Sequence, residues 1–275
     1  MAARRRESHY RSRRQSWCAI PLPLESSDRR ECEPTFGVYS EPMTFEPPSG
    51  IINLNKPAGI SSARAVARVK RLLPRGTKIG HAGTLDPFAT GVLLLLVGKA
   101  TRLCERLMDQ PKQYEATVKL GATTPTDDPE SPETPTPGVQ PVDRARIEAV
   151  LASFVGAIVQ RPPAFSALKV AGRRAYDLAR KGQAVELQPR TVTVYAIELL
   201  DYQWPLVLLR IDCGRGTYIR AIARDLGEAL KTGGHLVTLA RTRVGEHWLA
   251  QSSNLDELNA ENISKLLVPL PGSTR

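Results

Sequence analysis

The feature that most constrains the fold is a short apolar run, "GVLLLLVG" at residues 91–98. Six consecutive apolar side chains between glycines predict a buried strand. A helix that crosses a bilayer needs about 20 apolar residues, so this run is far too short to span a membrane. The chain is therefore expected to be soluble and to cover this strand with other elements.

Segments with strand-like and with helical periodicity surround the run. "GIINLNKPAG" predicts a strand and a Pro-Gly turn, and Ser61 or Ser62 is placed to cap the helix that follows. Helical spacing recurs at 63–73, 99–110, 144–156 and 217–230, and strand-like patterns recur at 112–121, 190–203, 205–216 and 235–249. Because strands and helices alternate in irregular order, the sequence predicts an α+β fold.

Composition narrows the class of protein. Lys and Arg total 38 against 28 Asp and Glu, a net charge of +10 that favours polyanionic partners, RNA or DNA first. Cys18, Cys32, Cys104 and Cys213 are scattered without a C-x-x-C pair, so neither a zinc site nor a disulfide framework is predicted. We expect a reducing, cytoplasmic location and no metal.

Composition and hydrophobic periodicity divide the chain into a long central region and two flanking segments. Residues 1–48 mix Arg, Ser, Pro and acids without either hydrophobic period, which predicts little fixed structure. Three interpretations stay open for them: an RNA-contacting arm, a targeting peptide, or an over-extended gene start with Met43 as the true initiator. One globular domain is expected at 49–252, with an exposed Pro/Thr/acid-rich loop at 122–141 and a short tail at 253–275.

The segment "GHAGTLDPFATG" at 80–91 holds a single acid, Asp86, between Leu85 and Pro87. Asp before Pro is ordinary turn chemistry, in which the carboxylate accepts backbone N–H bonds. Alternatively, Pro87 stiffens the backbone and the flanking glycines admit a bulky ligand, a frame that suits a nucleophile. The glycine-rich dinucleotide and phosphate-loop motifs are absent from the sequence, which disfavours nucleotide-cofactor enzymes.

This segment resembles the signature of the TruB family of pseudouridine synthases, the tRNA pseudouridine-55 synthases. Four more segments resemble family motifs in the expected order: "LNKPAGISS", "YEATVKLG", "RPPAFSALKVAGRRAYDLARKG" and "CGRGTYIRAIARDLG". Together they extend from about residue 51 to 250. The resemblance implies a pseudouridine synthase fold, with a mixed, mostly antiparallel central sheet flanked by helices and a catalytic cleft.

The resemblance also implies the reaction and its catalytic residues. It makes Asp86 the catalytic carboxylate, Tyr114 the aromatic that packs on the target base, and Arg220 the ionic partner of Asp86. The implied reaction isomerises uridine to pseudouridine at position 55 in the T-loop of tRNA. It needs no redox step or external energy source, so no cofactor is expected. One carboxylate can attack as a nucleophile or stabilise an electron-poor sugar, and an adjacent arginine favours its charged form.

By the same resemblance, three residues are expected to contact the RNA, and a fourth is a candidate. The target base must leave its stack to be reached. His81 is then expected beside the flipped nucleotide, and Tyr218 and Leu239 line the base pocket. Lys56 either contacts RNA or shapes the first motif. Taken singly, each tyrosine and Leu239 would be a core residue, so these assignments depend on their joint occurrence with the Asp86 motif.

The sequence departs from the family pattern twice. Phe165 stands before "SALK" where many relatives carry Tyr, which removes a hydroxyl. The residues after the last predicted strand are too few for the C-terminal RNA-binding domain of many bacterial relatives. RNA affinity is then expected either to come from the catalytic domain and the Arg-rich arm, or to be weaker and salt-sensitive.

The expected partner is the T-arm stem-loop of tRNA, with no membrane, no obligatory protein partner and a monomeric state. Two other classes of protein are less well supported. A non-catalytic RNA-binding or RNA-folding protein is disfavoured by the intact set of Asp86, Tyr114 and Arg220. A catalytic subunit that works with a guide RNA is disfavoured because it would be expected to use the missing C-terminal domain.

Overall fold

The computed structural model describes residues 48–163, 165, 169–170, 173–174 and 187–268. The N-terminal extension predicted at 1–48 lies almost wholly outside these residues, as does most of the substrate-loop motif. The helices are α1 (Ser62–Lys70), α2 (Cys104–Asp109), α3 (Arg144–Ala152) and α4 (Ile219–Leu230). The strands are β1 (Gly50–Lys56), β2 (Ile79–His81), β3 (Thr90–Val97), β4 (Lys112–Leu120), β5 (Ala122–Thr123), β6 (Thr134–Pro135), β7 (Gly156–Gln160), β8 (Lys169–Val170), β9 (Arg173–Arg174), β10 (Arg190–Gln203), β11 (Leu206–Cys213), β12 (Gly234–Val244), β13 (His247–Trp248) and β14 (Ser253–Asn254).

A ten-stranded sheet forms the centre of the described residues, in the order β14-β1-β3-β12-β4-β11-β10-β7. β2 is added to β3 and β13 to β12, while β5 with β6 and β8 with β9 form separate two-stranded pairs. All neighbours in the large sheet are antiparallel except β1 with β14 and β3 with β12. The predicted α+β class with a mostly antiparallel sheet is confirmed.

The apolar run at 91–98 forms most of β3, and residues 91–97 are all buried. β3 lies between β1 and β12, and seven residue pairs join it to β1. The strand predicted from this run therefore lies inside the large sheet, which fixes the end of the loop that precedes it.

α4 packs closely on β12. Its buried face includes Ile222, Leu226 and Leu230. A Cβ added at Gly227 would lie 2.2 Å from the backbone nitrogen of Gly234, so only glycine permits this approach of helix to strand. The contact fixes the position of α4 and of the arginines that it carries.

Two predicted helices differ from those observed. The pattern at 99–110 forms a 3₁₀ turn, Gly98–Leu103, before the short helix α2. The helical pattern expected to continue to residue 156 stops at Ala152, and β7 follows. This short edge strand has Val159 70% exposed, so it is held by backbone pairing with β10 and carries a weak hydrophobic signal.

The segment 122–141, expected to be an exposed loop, is buried in its first part. Thr124, Thr126 and Asp128 are each less than 10% exposed. The backbone oxygen of Asp127 accepts a hydrogen bond from the N–H of Leu236 in β12. Beyond about residue 130 the segment is mostly exposed, as its composition predicted.

The last described residues pack on the same sheet. β14 pairs with β1, and Leu255, Leu258 and Ile263 belong to the main hydrophobic core. Across the described part of the chain, no helix has the length and apolarity needed to cross a membrane.

Candidate active site

Asp86 lies in the loop between β2 and β3, and a buried serine holds the residue before it. The Ser62 hydroxyl, at the start of α1, donates to the Leu85 oxygen at 3.0 Å and accepts from the Leu85 N–H at 2.9 Å. Both backbone polar groups of Leu85 are therefore satisfied by one side chain, which fixes the loop against α1.

Lys56 holds the other side of the loop. Its side chain is fully buried, and Nζ donates to the carbonyls of Pro57 at 2.8 Å, Ile60 at 2.9 Å and Pro87 at 3.3 Å. Burial lowers the pKa of this ammonium to about 8, although the Asp86 charge opposes that shift. Of the two roles left open for Lys56, its contacts favour shaping the motif.

The Asp86 carboxylate meets Arg220 of α4. Oδ2 lies 3.0 Å from Nε, and Oδ1 accepts from Nη2 at 3.1 Å. The Arg220 side chain is 4% exposed, whereas that of Asp86 is 30% exposed. Within the described residues no backbone N–H donates to this carboxylate, so it does not act there as the turn cap considered above.

A second carboxylate shares Arg220, and sequence reasoning did not find it. Nη1 donates to Asp128 Oδ2 at 3.0 Å and to the Thr126 oxygen at 3.1 Å, and Nη2 also donates to the Phe165 oxygen at 2.8 Å. Asp128 is 1% exposed. Its only sequence signal was a pair of acids inside a Pro/Thr-rich segment, and that composition is typical of an exposed loop.

Opposing effects act on the pKa of Asp86. Burial raises the pKa of Asp86 above its usual 3.8; Arg220 lowers it, and the nearby Asp128 charge raises it. The arginine therefore offsets part of the cost of burying a carboxylate. A poised, partly buried acid beside a fixed cation is typical of a functional site.

A cleft of about 480 Å³ opens above this pair. Five of the predicted residues line it: Asp86, Tyr114, Tyr218, Arg220 and Leu239. Asp86 is the sole carboxylate of the described lining, which also includes Lys112, Arg190, Arg215 and Arg241. No cluster of three or more metal-ligating side chains occurs among the described residues.

Tyr114 and Leu239 come from neighbouring strands. Tyr114 on β4 is 9% exposed and pairs with Arg241 of β12, two residues beyond Leu239. Side chains two apart on a strand share a face, so Leu239 and Arg241 both line the cleft.

Tyr218, the residue before α4, is held from two sides. The Gln160 amide accepts from the Tyr218 N–H at 3.1 Å and donates to the Tyr218 oxygen at 3.2 Å. Arg190 stacks on the tyrosine ring at 4.9 Å. Gln160 is fully buried at the end of β7, and no sequence pattern predicted its contact with Tyr218.

His81 and Lys56 do not belong to the described cleft lining. His81 ends β2 and pairs with Leu95 of β3. It is partly exposed, five residues before Asp86, at the entry to the same loop.

A separate basic groove of about 580 Å³ lies between residues 74–78, which lead into β2, and the 3₁₀ turn Gly98–Leu103, which follows β3. Its described lining carries four cations and no carboxylate: Arg75, Lys78, Lys99 and Arg102. This is the third feature that sequence reasoning missed, because its cations come from two segments that are separate in sequence.

Comparison with solved structures places this architecture. A chain of a crystal structure titled as a Cbf5-Nop10-Gar1 complex superposes with a TM-score of 0.61 at 32% identity, covering 80% of this chain and 60% of that one. A chain of an archaeal box H/ACA Nop10-Cbf5 complex gives 0.59 at 29% identity, covering 87% and 65%. This chain thus spans less than two thirds of those proteins. The fold and cleft define the class as pseudouridine synthases.

The sequence comparisons identify the family within that class. Residues 70–219 match the description "TruB family pseudouridylate synthase (N terminal domain)", and 220–269 match "tRNA pseudouridylate synthase B C-terminal domain". The tRNA pseudouridine synthase B of Bacteroides fragilis is 48% identical over 206 residues, 73% of this chain and 88% of that protein. The enzyme of the same name from Cupriavidus metallidurans is 47% identical over 214 residues, 77% and 68% respectively. The chain belongs to the TruB family.

Proposed function

We propose that this protein isomerises uridine to pseudouridine at position 55 in the T-loop of tRNA. The observation that carries the proposal is the position of Asp86. It is the sole carboxylate of the described cleft lining, it forms an ion pair with the buried Arg220, and Tyr114 lines the same cleft. The relatives named tRNA pseudouridine synthase B support tRNA as the substrate. A cleft of about 480 Å³ lies within the usual range for small-ligand sites, so one extruded nucleoside would fit.

In the proposed reaction the bond between uracil N1 and ribose C1′ breaks, the base turns, and C5 joins C1′. The proton on C5 leaves and N1 gains one, so the step balances without an oxidant or cofactor. Asp86 attacks the sugar or base, or promotes elimination; each route needs the ionised carboxylate that Arg220 favours.

The base must be swung out of its loop to reach Asp86. Tyr114, Tyr218 and Leu239 offer ring faces and apolar surface on which uracil would pack. His81 stands at the entry of the Asp86 loop, where it would contact the disrupted RNA. The basic groove beside β2 would hold the phosphate backbone.

Tritium release tests the proposal. Wild-type protein incubated with tRNA transcript labelled at uridine C5 should release label, and a transcript with cytidine at position 55 should release none from that site. Asp86→Asn should abolish release and leave tRNA affinity nearly unchanged. Equal release by wild type and Asp86→Asn would remove Asp86 from its role, and sedimentation of the active species would test the expected monomer.

A further inference from the structure

α4 carries a second arginine, Arg224, one turn after Arg220. Residues four apart on a helix share a face, so both side chains point toward the acidic turn, defined as residues 126–128. Arg220 binds the Asp128 carboxylate, and Arg224 Nη1 lies 3.1 Å from Oδ2 of Asp127. Two consecutive acids are therefore each held by an arginine of the same helix.

The Arg224–Asp127 pair is shielded from solvent. Its side chains are 13% and 15% exposed, whereas the i,i+4 pair Arg144–Glu148 on α3 has both side chains about half exposed. Arg224 also contacts Asp225 at 2.8 Å, and Nη2 donates to the Arg161 oxygen at 2.9 Å. Arg220 donates to the Phe165 oxygen nearby, so both arginines tie the chain after β7 to α4.

Asp127 has a left-handed backbone, with φ of +59°. This conformation is uncommon outside glycine, although Asp tolerates it better than most residues. It turns two successive side chains toward two different arginines. Its own oxygen accepts from Leu236 of β12, so the turn is also fixed to the sheet.

We propose that Arg224 and Asp127 are positioning residues, which hold the acidic turn so that Asp128 and Thr126 keep Arg220 aligned on Asp86. The inference rests on the proposed function for its effect on rate. Neither residue lines the cleft, and the family resemblance assigned a role to neither. Arg220 has four partners, and two of them belong to the turn that Arg224 anchors. Displacing that turn leaves Arg220 free to withdraw from Asp86.

Three substitutions separate this role from simple loss of stability. Asp127→Gly removes the carboxylate while glycine accepts the left-handed backbone without strain. Arg224→Gln removes the guanidinium group. Arg224→Lys keeps the positive charge but cannot bond several partners at once as the planar guanidinium does. The matched control is Arg144→Gln, because Arg144 likewise pairs with a carboxylate and donates to a backbone oxygen, that of Leu199.

The first measurement is the single-turnover rate at saturating tRNA. Asp127→Gly and Arg224→Gln should each lower it about 10-fold, since small misplacements of catalytic groups are costly, with tRNA affinity within about twofold of wild type. Arg224→Lys should recover part of the rate, and Arg144→Gln should leave it unchanged. The double variant should be no slower than the slower of the two single variants, because both remove the Arg224–Asp127 contact. Wild-type rates in both single variants, or an additive double variant, would overturn the proposal.

The second measurement does not depend on activity. Amide hydrogen exchange in peptides covering residues 83–90 should rise in both single variants and stay at the wild-type level in Arg144→Gln. Unchanged exchange there would show that the Arg224–Asp127 pair does not act on the Asp86 loop, whatever the reaction. Wild-type protein that releases no tritium would instead contradict the proposed function alone.

Discussion

At the scale of single residues, the site is one carboxylate, Asp86, whose ionised form is disfavoured by burial. Arg220 offsets part of this effect, and Asp128 adds to it. Burial and Asp128 raise the pKa of Asp86, and Arg220 lowers it. Asp86 must be ionised to act as proposed, so Arg220 serves the reaction through charge as well as through geometry. The acid without its arginine would be a weaker catalyst at neutral pH.

The Asp86→Asn variant should be inactive yet at least as stable as wild type. Because the folded-state pKa lies above 3.8, wild type loses stability as pH rises from the unfolded to the folded pKa, and the variant lacks this loss. Tritium release should fall by about 10⁴-fold or more. Urea unfolding at pH 7.5 checks the second point, and a variant less stable by more than about 1 kcal/mol would contradict it.

The Arg220 substitutions should move the acid side of the pH profile. The wild-type single-turnover rate should fall as pH drops through a midpoint above 3.8. Arg220→Gln removes the largest effect that lowers the pKa of Asp86, so its midpoint should lie at higher pH. Arg220→Lys keeps the charge but loses the fork, so its midpoint should shift less, while its maximal rate falls about 100-fold. Identical midpoints in all three proteins would be inconsistent with this account.

At the scale of elements, the cleft is built where β4, β12 and the start of α4 meet, and short polar contacts set their positions. Ser62 ties the Asp86 loop to α1, and the fully buried Gln160 ties β7 to the residue before α4. Each of these side chains bonds both the backbone N–H and the backbone C=O of a single residue. Such contacts join residues that are far apart in sequence, and the hydrophobic pattern of a local segment does not encode them.

The Gln160→Leu variant should lose stability and activity together. Its two bonds to Tyr218 would be lost. The Tyr218 oxygen keeps the hydrogen bond from the Ile222 N–H, but the Tyr218 N–H loses its partner, at a cost of about 1–3 kcal/mol. Gln113→Leu is the matched control, since Gln113 also uses both ends of its amide but lies on the opposite sheet face from Tyr114. Urea unfolding should show the loss of stability in the Gln160 variant, and single-turnover assays should show a rate loss in that variant alone. Equal rate losses in both variants would argue against a role for Gln160 in placing Tyr218.

At the scale of the whole molecule, the protein has a net charge of +10, and some of its cations are concentrated in the basic groove and the cleft. The described lining of each carries at least four cations, and the groove has no carboxylate there. Phosphate contacts of this kind supply affinity without reading sequence. RNA binding and chemistry are therefore expected to respond to different substitutions.

Arg75→Ala and Arg102→Ala should each weaken tRNA binding and reduce the slope of log affinity against log salt by about 1. The single-turnover rate at saturating tRNA should stay within about twofold of wild type, because neither residue lines the cleft. Arg146→Ala, at an exposed position on α3 outside the groove, is the control. A salt slope that is unchanged in both groove variants would exclude the groove from the binding surface.

The sequence by itself determined the buried strand at 91–98, the mixed α+β class, the basic charge, and the local frame around Asp86. These follow from side-chain period, composition and turn chemistry, which act between near neighbours. The family resemblance supplied the pairing of Asp86 with Arg220 in advance. The periods alone could not have done so, because these residues are 134 positions apart.

Only the tertiary structure decided that Asp128 shares Arg220, that Gln160 holds Tyr218, and that Arg75 and Arg102 line one groove. The acidic turn was expected to be exposed because its composition is that of a surface loop. It is buried because α4 supplies two arginines that satisfy its acids, and that compensation is set by the packing of α4 on β12. Burial of a charge depends on distant partners, which one local stretch of sequence does not specify.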